Sequence, residues 1–201
     1  MKTLTLFIAA LLLGIAPSYA IEIGESAPDF TGTNILSGQD FRLSDHKGKI
    51  VVLEWTNHLC PFVVKHYETG NMQKVQKAAT DQGVEWVSIV SSAPGKQGNV
   101  TAEAGKQIVA DAGAAPSAKI LDESGEIGRL YGAQTTPHMF VINADGQLVY
   151  AGAIDDNSSP GHDTVDGAKN YVLAALADLA AGQTVETPTS QPYGCAVKYA
   201  H

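Results

Sequence analysis

Two cysteines carry the reactive chemistry this chain has available: Cys60, in EWTNHLCPFVVKHY (54–67), and Cys195, in QPYGCAVKY (191–199). Cys60 follows an apolar run and directly precedes Pro61, the pattern of a strand giving way to a helix. Backbone N–H groups at a helix start carry partial positive charge, so they favour thiolate over thiol and lower a cysteine's pKa. The thiolate is the form that attacks a disulfide or a peroxide. A cysteine at such a turn is a candidate nucleophile, whereas a cysteine in mid-strand is ordinarily core. Thr135-Thr136-Pro137 is the second element of interest. A proline between a turn and an apolar strand is compatible with a cis bond, and the alternative is a trans proline that merely breaks the strand.

The elements that must position these residues follow from the spacing of apolar residues. Residues 21–47 contain APDF and two short extended pieces around Phe30 and Phe41, which predict a hairpin. Lys49–Trp55 is a β-branched run suited to a buried strand. Pro61 opens a helix to about Gly70, since its missing N–H is harmless in a first turn. A second helical piece covers 72–82, and Val84–Val90 is the next strand. The loop SSAPGKQGN (91–99) leads to a helix over 101–112 with Thr101 or its neighbour as cap. A short strand at 118–121 and a helical turn at 126–131 come next. His138–Asn143 and Gln147–Ile154 are apolar strands joined by a turn containing Gly146. A closing helix is predicted over 166–181, ending at Gly182, and a Thr- and Pro-rich tail, 183–201, is expected to run extended over the surface. Alternating strands and helices demand parallel pairing, and the late hairpin adds antiparallel strands.

Composition excludes some functions. The opening MKTLTLFIAALLLGIAPSYA has a basic start, an apolar stretch shorter than the roughly 20 residues of a spanning helix, and small residues before a cleavage site. Residues 1–20 therefore read as a signal peptide, with the mature chain starting at Ile21 in an oxidising, periplasmic or secreted setting. Without Lys2 the 13 basic residues become 12 against 21 acids, a net charge of −9. So acidic a chain, with Arg42 and Arg129 as its arginines, is no nucleic-acid binder. No membrane partner is expected after cleavage. In an exported protein, two cysteines also admit a permanent structural disulfide.

APDF, EWTNHLCPFVVKHY, SSAPGKQG, YGAQTTPHMFVINADGQLVYAGAIDD and QPYGCAVKY together resemble the exported, peroxiredoxin-like (redoxin, AhpC/TSA-like) branch of the thioredoxin superfamily, over nearly the whole mature chain. The resemblance implies an α/β thioredoxin-like fold: a central mixed sheet flanked by helices, with an N-terminal hairpin and an extended C-terminal tail. It also implies a reactive Cys60 and a cis Pro137, whose loop faces the cysteine turn and would position substrate together with Thr136. Two departures stand out. Dithiol thioredoxins have C-x-x-C, and here Val63 takes the second place. Typical peroxiredoxins have P-x-x-x-T/S-x-x-C, and here Leu53 replaces the proline and Asn57 the hydroxyl residue, although Asn57 can still donate a hydrogen bond to substrate. Arg129 is the candidate for the arginine that polarises peroxide in such proteins.

These readings define an exported thiol oxidoreductase of residues 21–182 with a tail, 183–201, carrying Cys195. Cys60 is the nucleophile and Cys195 the resolving thiol; the substrate is a peroxide or a protein disulfide, and a thiol reductant restores the enzyme. The competing reading is a non-enzymatic binding module with a structural Cys60–Cys195 disulfide, worth about 5 kcal/mol by loop entropy. Copper-delivering proteins of this fold pair two nearby cysteines with histidine; His58, His66 and His138 lack that second cysteine, so neither metal nor cofactor is expected. His138 is instead a candidate for tuning the Cys60 thiolate. Asp155, Asp156, Asp163 and Asp166 match no calcium loop and are expected to be solvated, and Trp55 is expected to wall the cysteine.

Overall fold

A computed structural model describes residues 21–200, and the expected signal peptide lies outside the described residues. The chain begins with the predicted hairpin, β1 (Thr31–Thr33) against β2 (Asp40–Arg42), antiparallel. It then enters β3 (Val51–Trp55), all five residues buried, followed by α1 (Pro61–Glu68) and α2 (Asn71–Thr80). Between the two helices Gly70 takes a left-handed φ of 72°, a turn that other residues make only at a steric cost. Next come β4 (Glu85–Val90), α3 (Ala102–Asp111), β5 (Ala118–Leu121) and α4 (Glu126–Leu130). Thr101 caps α3 as expected, its hydroxyl accepting from the Ala104 N–H at 3.3 Å.

The last third contains β6 (Thr135–Thr136), β7 (His138–Ile142), β8 (Leu148–Gly152), α5 (Tyr171–Ala180) and β9 (Cys195–Ala196). The main sheet has the order β5-β4-β3-β7-β8, parallel across its first three strands and antiparallel at β7 and β8. This is a mixed sheet flanked by helices, the thioredoxin-like plan. Because side chains alternate along a strand, β3 serves two cores. Val51, Leu53 and Trp55 pack with Phe30, Phe41, Tyr131 and Phe140 on one face. Val52 packs with Met72, Trp86, Met139, Val172 and Leu176 on the other.

One expectation needs correction and another is extended. The closing helix starts at Tyr171 rather than Asp166: Gly167 has φ +82°, and the Asn170 side chain caps the helix by accepting from the Leu173 N–H at 2.9 Å. The tail does run along the surface, half-buried, yet it is built into the fold. β9 forms a second small sheet with β6, a pairing the sequence reading did not contain.

Candidate active site

Strand β3 ends at Trp55 and hands the chain to a tight turn. The Asn57 carboxamide accepts from the Leu59 N–H at 3.0 Å and donates to the Gln97 carbonyl at 3.3 Å, so it fixes the turn against the 91–99 loop. Cys60 then stands as the N-cap of α1 with extended φ/ψ of −83° and 123°, and Pro61 fills the first helical position. Its carbonyl accepts from the N–H groups of Val63 and Val64 at 2.9 and 2.8 Å. Its side chain is fully buried.

What covers Cys60 is the loop before β7 and the tail. The Thr136–Pro137 bond is cis, as expected, and the Thr136 carbonyl accepts from the Cys60 thiol at 3.0 Å. Strand β9 lies antiparallel to this loop with Thr136 opposite Cys195 and Thr135 opposite Ala196, and Val197 N–H extends the ladder to the Gln134 carbonyl at 3.0 Å. The chain's own tail therefore occupies the backbone edge that the sequence reading reserved for an extended substrate. Gly194 makes the approach possible. Its φ is +132°, and a Cβ there would collide with the Thr136 carbonyl oxygen.

Anchors on either side hold the tail. Upstream, Asn71 donates to His66 Nδ1 at 2.8 Å, which leaves Nε2–H to donate to the Tyr193 hydroxyl at 3.1 Å; that hydroxyl donates in turn to Asp155 at 2.5 Å. The buried Lys65 ammonium sits 5.2 Å from the Tyr193 ring centre and donates to the carbonyls of Asn157 and Ser159. Asp155, expected in a solvated acidic loop, is buried and serves this network, a correction with a clear cause: it has a hydroxyl donor and the His66 ring 3.8 Å away. Downstream, Tyr199 donates to the Ala133 carbonyl at 2.8 Å, and Arg129 stacks on its ring while donating to the carbonyls of Ser124 and Ala200. The observed partners of Arg129 thus belong to its own helix start and to the tail, not to Cys60.

Both cysteines are free thiols, with Cys195 half-buried, and the pairing of Cys195 with Thr136, whose carbonyl accepts from Cys60, brings the two near each other. Burial pushes the Cys60 pKa up. The polar surroundings supplied by Cys195, Thr136 and the helix start at Val63 outweigh it, so the pKa falls below the ordinary thiol value. The Cys195 thiol goes the other way, to about 11, through burial first and then its hydrogen bond to Cys60 and the Cys60 charge. His138 does not supply a cation here. Burial holds its pKa at about 4, Nδ1 accepts from the Gln134 N–H at 3.2 Å, and the ring packs on Phe140. Trp55 is a buried wall as expected, its indole N–H donating to Ser91 at 3.0 Å.

The Redoxin family profile matches residues 22–171. The chain belongs to the redoxin family. Among solved structures this redoxin is similar to an uncharacterized conserved protein from Geobacillus kaustophilus, at 26% identity and a TM-score of 0.76, covering 90% of this chain and 93% of that one. It is likewise similar to a hypothetical protein from Sinorhizobium meliloti 1021, at 26% identity and a TM-score of 0.75, covering 90% and 97%. The thioredoxin domain of a thiol-disulfide oxidoreductase from Bacteroides vulgatus matches at 21% identity and a TM-score of 0.53, covering 73% and 96%, a likeness of fold. No curated protein matches the chain. Family and fold support a thiol oxidoreductase role in general.

Of the residues singled out from sequence, the redoxin brings Cys60, Cys195, Thr136 and Pro137 into one cluster, places Asn57 in the turn beneath it, and puts Arg129 at the tail's far anchor. Sequence reasoning missed Tyr193 and Gly194, and it weighed His66 and Asp155 for metal binding rather than as anchors of the tail. One signal was available: PYGC places a glycine and an aromatic directly before the cysteine.

Proposed function

We propose that this redoxin is a thiol peroxidase whose attacking thiol is Cys60 and whose resolving thiol is Cys195. The observation that carries the reading is the placement of both thiols at Thr136, which pairs with Cys195 and accepts from Cys60, with their pKa values pushed apart. The Cys60 thiolate attacks one oxygen of a peroxide; the O–O bond breaks, the alcohol or water leaves with a proton, and Cys60 becomes a sulfenic acid. Cys195 then gives up its proton and attacks that sulfur, water departs, and a Cys60–Cys195 disulfide forms. The order is self-timing. Once Cys60 is oxidised it no longer carries the charge and hydrogen bond that raise the Cys195 pKa, so Cys195 gains nucleophile character when it is needed. A dithiol reductant closes the cycle by attacking the disulfide, and Cys195 is the more accessible sulfur.

The tail favours a small oxidant over a protein disulfide, because an extended peptide needs the edge of β6 that β9 occupies. Under this reading Thr136 and Pro137 orient the tail and hold the Cys60 sulfur. Asn57 fixes the turn, and Arg129 acts by clamping the tail. Export rests on the leader-like residues 1–20, with Ile21 as the mature start. The test is mass spectrometry after brief substoichiometric peroxide. Cys60→Ser abolishes oxidation, whereas Cys195→Ser accumulates a Cys60 sulfenate that a dimedone-type probe captures. Equal loss of thermal stability in both variants, with no Cys60 adduct, sinks the proposal and supports a structural pair.

A further inference from the structure

Strand pairing sets a polar row across the main sheet: Glu54 of β3 lies opposite Ser88 of β4, and Ser88 opposite Lys119 of β5. All three belong to the face shared with Val52 and Trp86 rather than to the face of Trp55. Glu54 is fully buried and fully used. It accepts from Tyr67 Oη at 2.8 Å, Trp86 Nε1 at 2.8 Å, Ser88 Oγ at 2.9 Å and Gln76 Nε2 at 3.3 Å.

Lys119 is the opposite case. It is 6% exposed, yet among the described residues its ammonium has neither a hydrogen-bond partner nor a carboxylate within 4.0 Å. Lys119 Nζ is not among the buried side-chain atoms left without a partner, so its three donors keep access to the space it lines and are open to a ligand there. Burial lowers its pKa, against a raising influence from Glu54. Lys119 lines a cavity of about 300 Å³ between α1, α3 and the sheet, with Ser88 and His58 as polar neighbours and Val63, Val64 and Ile108 as apolar wall. The cavity is a feature separate from the thiol pair, since neither cysteine lines it. The exposed acids Glu68 and Asp111 also line it and repel a dianion about twice as strongly as a monoanion. The volume lies at the lower end of the usual range for small-molecule sites.

We infer that this cavity binds a small apolar monocarboxylate, its head on the Lys119 ammonium beside Ser88 and its body against Val63, Val64 and Ile108. The apolar wall rewards a hydrocarbon body, the unpartnered ammonium rewards a single anionic head, and the acids lining the cavity select against dianions.

Benzoate is the probe, with benzyl alcohol as its uncharged counterpart and phthalate as the dianion. Titration calorimetry on the full mature chain is expected to show saturable one-to-one benzoate binding, weaker by at least about tenfold for either analogue. Lys119→Met keeps the side-chain length without the charge and is expected to lose benzoate binding by a similar factor. Should Lys119→Met fold poorly, amide chemical shifts of the wild-type protein decide. Benzoate is expected to move Val63, Val64, Ser88 and Ile108 while leaving Cys195 and Ala196 in place. No saturable benzoate binding at millimolar concentration, equal binding of benzyl alcohol, undiminished binding by folded Lys119→Met, or shifts scattered over the surface each overturn the inference.

Discussion

Tyr193→Phe isolates what the tail does to Cys60. The substitution keeps the ring that packs near Phe62 and Lys65 but deletes a hydroxyl that donates to Asp155 and accepts from His66. Both partners are buried when the tail is docked and regain water when it lifts, so the penalty falls on the docked state alone. A lost hydrogen bond to a charged group is worth about 1.5–3 kcal/mol, which shifts the docked–lifted equilibrium by roughly 10- to 150-fold. Cys60 is fully buried, so iodoacetamide reaches it when the tail lifts, and its alkylation rate reports that equilibrium. The comparison is made in a Cys195→Ser background so that one thiol reacts, and across pH so that a change in thiolate fraction is separated from a change in access. The expected result is a rise of about 10- to 150-fold in the rate of the fully ionised thiol, with the Cys60 pKa moving up as the tail's hydrogen bonds are withdrawn. Equal rates within about twofold refute the reasoning, because the docked tail would then not limit access. A rise that tracks exchange of the β3 amides refutes it too, since that signature belongs to global unfolding.

Gly194→Ala is expected to lift the tail by another route, because its Cβ collides with the Thr136 carbonyl; Cys60 alkylation accelerates, and a wild-type rate counts against the close approach. Acid is expected to destabilise the fold before the carboxylates titrate. His66 and His138 have pKa values held at about 3 and about 4 by burial, with Lys65 adding to the effect at His66, so the unfolded chain binds protons that the folded chain refuses. Stability is full above the ordinary histidine value of 6.5 and is lost as pH falls below it, approaching about 1.4 kcal/mol per pH unit for each histidine, less whatever Asp155 returns to His66. Urea melts at several pH values between 7 and 5 check this, and a flat profile refutes it. Trp86→Phe is expected to cost about 1.5–3 kcal/mol, since it removes one of the donors that hold the buried Glu54 carboxylate, and equilibrium unfolding measures it.

Most of the frame was legible because long apolar runs leave little choice. Val51–Trp55 is too short and too β-branched for anything but a strand, and its neighbours repeat the pattern. The start of α5 was misplaced because Asp166 is the kind of acid a helix's first turn favours; the cap at Asn170 and the turn at Gly167 decide the boundary. The β6–β9 pair could not be read at all. Two-residue strands have no period, and their partners are distant in sequence, so the contact comes from the fold and not from local preference. Asp155 was misread for a related reason. A carboxylate among other acids looks solvated unless the chain is known to bring a tyrosine hydroxyl to it. Glu54 did leave a trace, since a lone carboxylate within VVLEW must either face water or find donors, and four donors meet it.

Carrying the second thiol on a tail, rather than three residues along α1, changes what each sulfur can do. In a helix the resolving cysteine would be held by the helix's own hydrogen bonds. Here Cys195 is held by a two-residue ladder and by side-chain anchors at Tyr193 and Tyr199, each of which can be loosened without disturbing the main sheet. Val63, standing where a second helical thiol would be, is freed to line the Lys119 cavity on the far side of α1. On the proposed mechanism the tail then has two duties that pull against each other. Docked, it lends Cys60 the hydrogen bonds that lower its pKa; lifted, it uncovers the sulfur for anything larger than a small oxidant. A variant that loosens the tail should therefore gain access to bulky disulfides while losing thiolate at neutral pH. Opposite movement of those two quantities separates a tail that tunes Cys60 from one that merely shields it.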